Sequence, residues 1–352
     1  MKDFEVISRL DSRDAFIAHL KEELASKANS SDMRADSGEF AGFVRSFEHI
    51  YAQTWDVLYP QYKGRNLVPL DTSVAAGAES YTWRQFDRAG EAMIVKDYAK
   101  DFPSVELSGK EFRNNIVSLG VSYAYSMMEI RNSAMMNLPI EAKKALYARQ
   151  VMEQKVDSMI AWGDAASKIN GIANATNLID SGTSTGYSGT AGANWVTSLA
   201  SNTVSAVLAD VNAMAGQIFQ QSLGLFGAAK ELSLLCPTSV MQALQAAQAI
   251  TPTGIFLDIS VADYILRTSP QIKEIVHWPA LDKNAPGAST THDTVLLAKL
   301  DPMVMSAVIP QDFEQLPPEV HGMRFSVACH MRHGGVMLHY PFGATKYSLA
   351  AG

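Results

Sequence analysis

The chain has 352 residues, 47% of them hydrophobic and 18% charged, with a formal net charge of −7. That length suffices for two compact lobes and the composition is that of a globular protein. The acidic balance argues against a dedicated nucleic-acid binder, which needs a clustered excess of Lys and Arg.

Cys236 and Cys329 cannot build a disulfide framework, and each lies in an apolar run (LSLLC, RFSVAC) that predicts a buried thiol and a reducing compartment. The opening MKDFEVISRLDSRD lacks the apolar core of a secretory leader. No apolar run approaches the roughly 18 to 20 residues of a membrane span, so a soluble, cytoplasmic chain without a membrane partner is expected.

In chain order, DAFIAHLKEELA (14–25) places Phe16, Ile17, Leu20 and Leu24 on one helical face behind Asp14 as cap. A polar connection leads to a second helix over 40–59, where Phe43, Phe47, Tyr51 and Trp55 recur at intervals of four. A short strand is expected at Leu67–Thr72. From about 79 to 107 the chain mixes aromatic Tyr81, Trp83 and Phe86 with Arg84, Arg88, Lys96 and Lys100, and has no run apolar enough for a core of its own. This pattern predicts a long hairpin with charged faces, bending near Ala89-Gly90 and again near Asp101–Ser104. An isolated hairpin is marginal in water, so its partners must lie elsewhere.

NIVSLGVSYAY (115–125) reads as a strand and Met127–Met136 as a short helix. Pro139 then stands where a first-turn proline is tolerated, and Ala145, Leu146, Val151, Met152, Val156, Met159 and Ile160 recur at helical spacing. The resulting helix, Ile140–Trp162, is about 35 Å long at about 1.5 Å per residue. It ends in GDAASKINGIANATN, whose small residues are expected to serve backbone turning.

After a Gly/Ser/Thr loop, a strong helical pattern runs from the cap Asn194 to Ile218. Further expectations are a buried strand at Leu232–Cys236, a helix from about Ser239 to Ala249, and strands at Ile272–Trp278 and Thr294–Leu300. The last is a hairpin in which Phe325–Arg332 and Val336–Tyr340 alternate about a Gly334-Gly335 turn. Without a regular βαβ rhythm, α+β is the expected class.

Candidate chemistry is thin. Gly182-Thr183-Ser184-Thr185-Gly186 matches a nucleophile elbow, but lacks the strand before and helix after that would expose Ser184, so a surface loop is expected. Ser108-Gly109-Lys110-Glu111 lacks the glycine and hydroxyl of a phosphate loop. Cys329, His330, His333 and His339 are close in sequence, yet strand alternation puts Cys329 and His330 on opposite faces, against a shared tetrahedral metal site. Glu22-Glu23 and Asp312 with Glu314 read as solvated carboxylates. No catalytic residue, metal or cofactor is expected.

The order of elements says more than any motif. SYAYSMMEIRNSAMM (122–136), EAKKALYARQVMEQKVDSMIAWGDAASKINGIANATN (141–177) and RFSVACHMRHGGVMLHYPFGATKY (324–347) resemble the major capsid proteins of tailed bacteriophages, with the match covering most of the chain from about Asn66. The resemblance implies an α+β shell fold with four parts. These are an N-terminal arm (1–65), an extended loop (66–114), a peripheral domain (115–193 and 324–352) with the long helix as spine, and an axial domain (194–323).

It also implies a structural protein that assembles with copies of itself, as pentamers and hexamers, into an icosahedral shell around double-stranded viral DNA. Packaged DNA would be touched only by non-specific proximity, and portal, scaffold or decoration proteins are the further partners it allows. Tyr81, Trp83 and Phe86 would be anchors on neighbouring subunits, and Arg84, Arg88, Lys96 and Lys100 would pair with acidic surfaces there. An encapsulin-type compartment keeps the fold and changes the cargo. A serine hydrolase using Ser184 is the rival from another class.

Overall fold

In the computed structural model, residues 61–94, 104–136, 140–175, 178–180, 194–201, 204–250, 256–288 and 292–349 are described. The helices expected at 14–25 and 40–59, together with Lys96, Lys100 and Ser184, lie outside those residues.

The described chain begins at a single helical turn, Gly64–Leu67 (α1), and a short strand, Leu70–Asp71 (β1). Two ten-residue strands follow, Ser80–Ala89 (β2) and Glu106–Asn115 (β3), antiparallel from the rung Ser80↔Asn115 to the rung Ala89↔Glu106. The return strand thus includes SGKEFRNN, and Ala89 lies within β2. The next strand, Val117–Ser126 (β4), runs into the helix Met127–Met136 (α2).

The long helix forms over Ile140–Trp162 (α3) with the expected bounds. Its buried face is Ala148, Met152, Val156, Met159 and Ile160, whereas Leu146 and Val151, expected in the same stripe, are exposed. Beyond it the chain reverses tightly: Gly163–Asp164 (β5) pairs with Ile169–Asn170 (β6), and the Asp164 carboxylate accepts the Ser167 amide at 3.0 Å. A Cβ on Gly171 would stand 2.4 Å from the Gly163 nitrogen, and Gly163 has φ +72, so only glycine fits this reversal.

Ile179–Asp180 (β7) precedes the pattern that begins at Asn194. Asn194 caps as expected, its side chain accepting from the Val196 amide, but the helix Trp195–Ala200 (α4) closes at Ser201 and a second helix runs Val204–Gln221 (α5). Leu232–Cys236 (β8) is buried along its whole length and Thr238–Ala246 (α6) follows. The residues expected to prolong that helix form a strand, Gln248–Ile250 (β9), antiparallel to Phe256–Ser260 (β10). Val261–Thr268 (α7) is capped by the Ser260 hydroxyl on the Asp263 amide.

Ile272–His277 (β11), Thr294–Ala298 (β12), Met305–Val308 (β13), Gln311–Gln315 (β14), Glu319–His321 (β15), Arg324–His333 (β16), Val336–Leu338 (β17) and Ala344–Ser348 (β18) complete the described strands. A central sheet has the order β11-β8-β12-β18-β7; β11 and β8 are parallel, and β12 is antiparallel to both β8 and β18. Its strands join α3 and α5 in one apolar core that includes Trp195, Trp278, Leu234, Leu296 and Val207.

Two carboxylates inside this core are tied down. Asp157 of α3 accepts from the Gly64 amide (2.6 Å) and the Trp278 indole (3.0 Å), and Asp210 of α5 accepts from Trp195 (3.0 Å). Burial raises both carboxyls above the usual range, opposed by those bonds. Cys236 and Cys329 are buried free thiols, and desolvation pushes both up.

The expected C-terminal hairpin is corrected. β16 pairs with β4 over Arg324↔Ser126 to His333↔Val117, and also with β14 and β15, while β17 pairs with β13. Gly334-Gly335 is therefore a corner that hands the chain from one sheet to another. Gly335 has φ +77, and a Cβ there would lie 2.3 Å from Ile169.

Candidate functional site

Among the described residues, β2 and β3 pair only with each other, forming a ladder that leaves the body of the protein. Its root is built around Tyr81. The phenol donates to the Gly334 carbonyl (3.0 Å) and accepts from the Asn114 side chain (3.1 Å), and its ring joins Ile116, Val308 and Met337 in a small apolar cluster. Burial pushes this phenol up to about 12, so it stays a neutral donor. A Cβ on Gly334 would stand 2.8 Å from the Tyr81 ring, so the corner glycine makes room for the root.

Outward from the root, Trp83 stacks between Tyr81 (centroids 5.8 Å apart) and its rung partner Phe112 (5.5 Å). The Lys110 ammonium sits 5.2 Å from the Phe112 ring. Phe86 lies against Gly109 on the facing strand and is 61% exposed, and Leu107 is 70% exposed. Arg84 stands 3.8 Å from Glu111, with both side chains mostly in solvent. Arg88 is exposed as well.

Five of the residues expected to face neighbours thus lie on one described ladder, though not in equivalent places. Tyr81, only 9% exposed, is spent on its own chain and anchors the root. Arg84 already has a loose partner across the ladder, while Phe86 and Arg88 are open to solvent. Asn114, the buried side chain that completes the root, was missed because an Asn in a polar run carries no signal of burial.

The other candidate chemistries stay apart. Along β16, Val327, Cys329, Met331 and His333 are buried while His330 faces the opposite side. Among the described residues, no three His, Cys, Asp or Glu side chains are close enough to hold a metal. Lys110 and Gly109 belong to a strand, and Asp312 is bound by Arg65 at 2.9 Å. Among the same residues, no helix is long and apolar enough to cross a membrane.

Several solved structures share this fold. The capsid of Myoviridae phage XM1 superposes with a TM-score of 0.67 at 12% identity, covering 87% of this chain and 97% of that one. Mycobacterium phage Ogopogo gives 0.57 at 10% identity, covering 88% and 99%. A virus-like particle from Pyrococcus furiosus gives 0.50 at 12% identity, covering 80% and 90%. No curated protein sequence matches the chain.

At these identities the likeness is one of fold, and it agrees with the expected α+β phage-capsid architecture. The class defined by fold and family together is the structural subunit of a capsid shell, not an enzyme. The chain belongs to the Major capsid protein family, whose pattern it matches over residues 90–347.

Proposed function

We propose that this chain closes, with copies of itself, an icosahedral shell of pentamers and hexamers around double-stranded DNA in the host cytoplasm. The observation that carries the reading is the β2–β3 ladder. It is a long, well-paired element with exposed apolar side chains such as Phe86 and Leu107, and it has no further strand among the described residues. A subunit that tiles a surface has to offer apolar and charged area to its neighbours.

In this reading Trp83 and Phe86 supply apolar contact, and Arg84, Arg88, Lys96 and Lys100 meet acidic surfaces on the next subunit. Tyr81 acts indirectly by fixing where the ladder starts. The arm would be 1–65, the extended loop 66–114, the peripheral domain 115–193 with 324–352, and the axial domain 194–323. The net charge of −7 suits a wall that does not adsorb packaged DNA tightly. An encapsulin-type compartment is not favoured, because the family the chain matches over residues 90–347 is that of the major capsid protein.

Electron microscopy of the purified chain tests the proposal. Closed particles of uniform size are the expected result. A strictly monomeric species under all assembly conditions overturns it.

A further inference from the structure

The corner that receives the hairpin root is held from beneath by a histidine. His333, the last residue of β16, has no exposed surface, and its Nδ1 accepts the Gly335 N–H at 2.8 Å. With that lone pair engaged, the neutral ring carries its proton on Nε2, which finds no partner among the described residues. Gly335 and Gly334 are bound in turn to Val308: the Val308 N–H donates to the Gly335 carbonyl (3.0 Å) and the Gly334 N–H to the Val308 carbonyl (2.9 Å). On the outer side of this corner, the Gly334 carbonyl takes the Tyr81 hydroxyl. His333, the corner and the hairpin root therefore form one chain of hydrogen bonds.

A proton can be added to this ring at one atom only, the Nδ1 that holds Gly335. The new N–H bond uses the lone pair, the ring becomes an imidazolium with two donors, and Nδ1–H then faces the Gly335 N–H, donor against donor. The bond must break. We propose that His333 is a proton-operated latch, which holds the Gly334-Gly335 corner while neutral and, when protonated, releases that corner together with the Tyr81 root of the hairpin.

The surroundings disfavour the charged ring. Burial, with Arg65 adding a like charge, lowers its pKa from 6.5 to about 4. Arg65 belongs to α1 and is itself held by Glu153 of α3 (2.6 Å) and Asp312 of β14 (2.9 Å). The rung partner on β4 is the uncharged Val117, and on its own strand the neighbouring Arg332 guanidinium is bonded to the Ala76 carbonyl. The Tyr81 phenol beyond the corner stays neutral.

The sign follows from proton binding. A ring exposed by opening binds a proton below pH 6.5, while the closed one stays neutral down to about 4. Closure is therefore at full strength above pH 6.5 and weakens as pH falls. The open fraction should grow about tenfold per pH unit between those two limits. This inference does not depend on the hairpin meeting a neighbour.

Amide hydrogen exchange on the full-length chain tests it, resolved by peptide and corrected for the intrinsic pH dependence of exchange. Protection of Ser80–Trp83, Phe112–Asn115 and Gly334-Gly335 is expected to fall about tenfold per pH unit below 6.5, with Leu232–Cys236 unaffected. His333→Asn keeps an acceptor for the Gly335 N–H, as an Asx turn, and removes the titration, so its profile should be flat. A flat wild-type profile, or the same slope in His333→Asn, overturns the latch. If His333→Asn does not fold, Tyr81→Phe decides. Without the hydroxyl, the corner amides should keep their slope while the root amides lose it, and equal slopes in both segments overturn the proposal.

Discussion

The central sheet and the projecting hairpin are both made of well-paired strands, and they could hardly differ more in what covers them. β8 and β12 bury every residue, Leu232–Cys236 and Thr294–Ala298, whereas β3 buries Asn114 alone, next to its root. Their ladders provide backbone hydrogen bonds of the same kind, and such bonds largely exchange with bonds to water, contributing about 1 kcal/mol each. Burial of side chains makes the difference, at about 25 cal/mol per Å² of apolar surface. The sheet is therefore the part that folds the subunit, and the hairpin is a shape held out on one anchored root.

The largest effect that could break this contrast is removal of the hairpin beyond its root. Replacing residues 86–109 by Asn-Gly, so that Gln85 runs into Lys110 across their native rung, leaves Tyr81, Trp83 and Asn114 in place. Circular dichroism and the thermal midpoint should be retained while particles vanish from electron micrographs. A chain that no longer folds would show that the ladder belongs to the core.

Within the folded body, Leu234→Ala opens a cavity between fully buried neighbours and should cost about 3 kcal/mol in urea denaturation. Phe86→Ala, which strips a ring from solvent-facing hairpin, should cost no more than about 0.5 kcal/mol in the same assay. Comparable losses for the two would erase the contrast. The smallest effect on stability belongs to Arg84→Ala. Its contact with Glu111 is long and solvated, so the melting curve should not move, while light scattering should show slower assembly that depends less on salt. A clear drop in stability would make that pair part of the fold.

Much of the architecture was legible. Apolar spacing located α3 from Ile140 to Trp162 and the buried strand Leu232–Cys236, and the cap at Asn194 was correctly placed. The return strand was underestimated, because a strand exposed on both faces, with Gly109 in the middle, has no apolar alternation to announce it. Leu146 and Val151 fit the helical period of α3 yet point outward, since periodicity reports a face and not whether anything covers it.

Of the candidate surface, the residue types were readable and their environments were not. Tyr81 and Trp83 look alike as aromatic members of one strand, but Tyr81 enters a space that Gly334, far away in sequence, leaves open. His333 entered only as one of four Cys and His residues close in sequence. Only the corner that follows it shows that its lone pair is engaged.

By itself the amino-acid order located the main helices and strands and their apolar periodicity, because those properties depend largely on neighbours within a turn or two of chain. Tertiary structure decided the partners. It paired β16 with β4 and β17 with β13, where alternation about a Gly-Gly step had suggested a hairpin. Alternation specifies the face a side chain takes and is silent on which strand lies alongside. That choice is made by contacts across hundreds of residues, such as the Tyr81 hydroxyl on the Gly334 carbonyl.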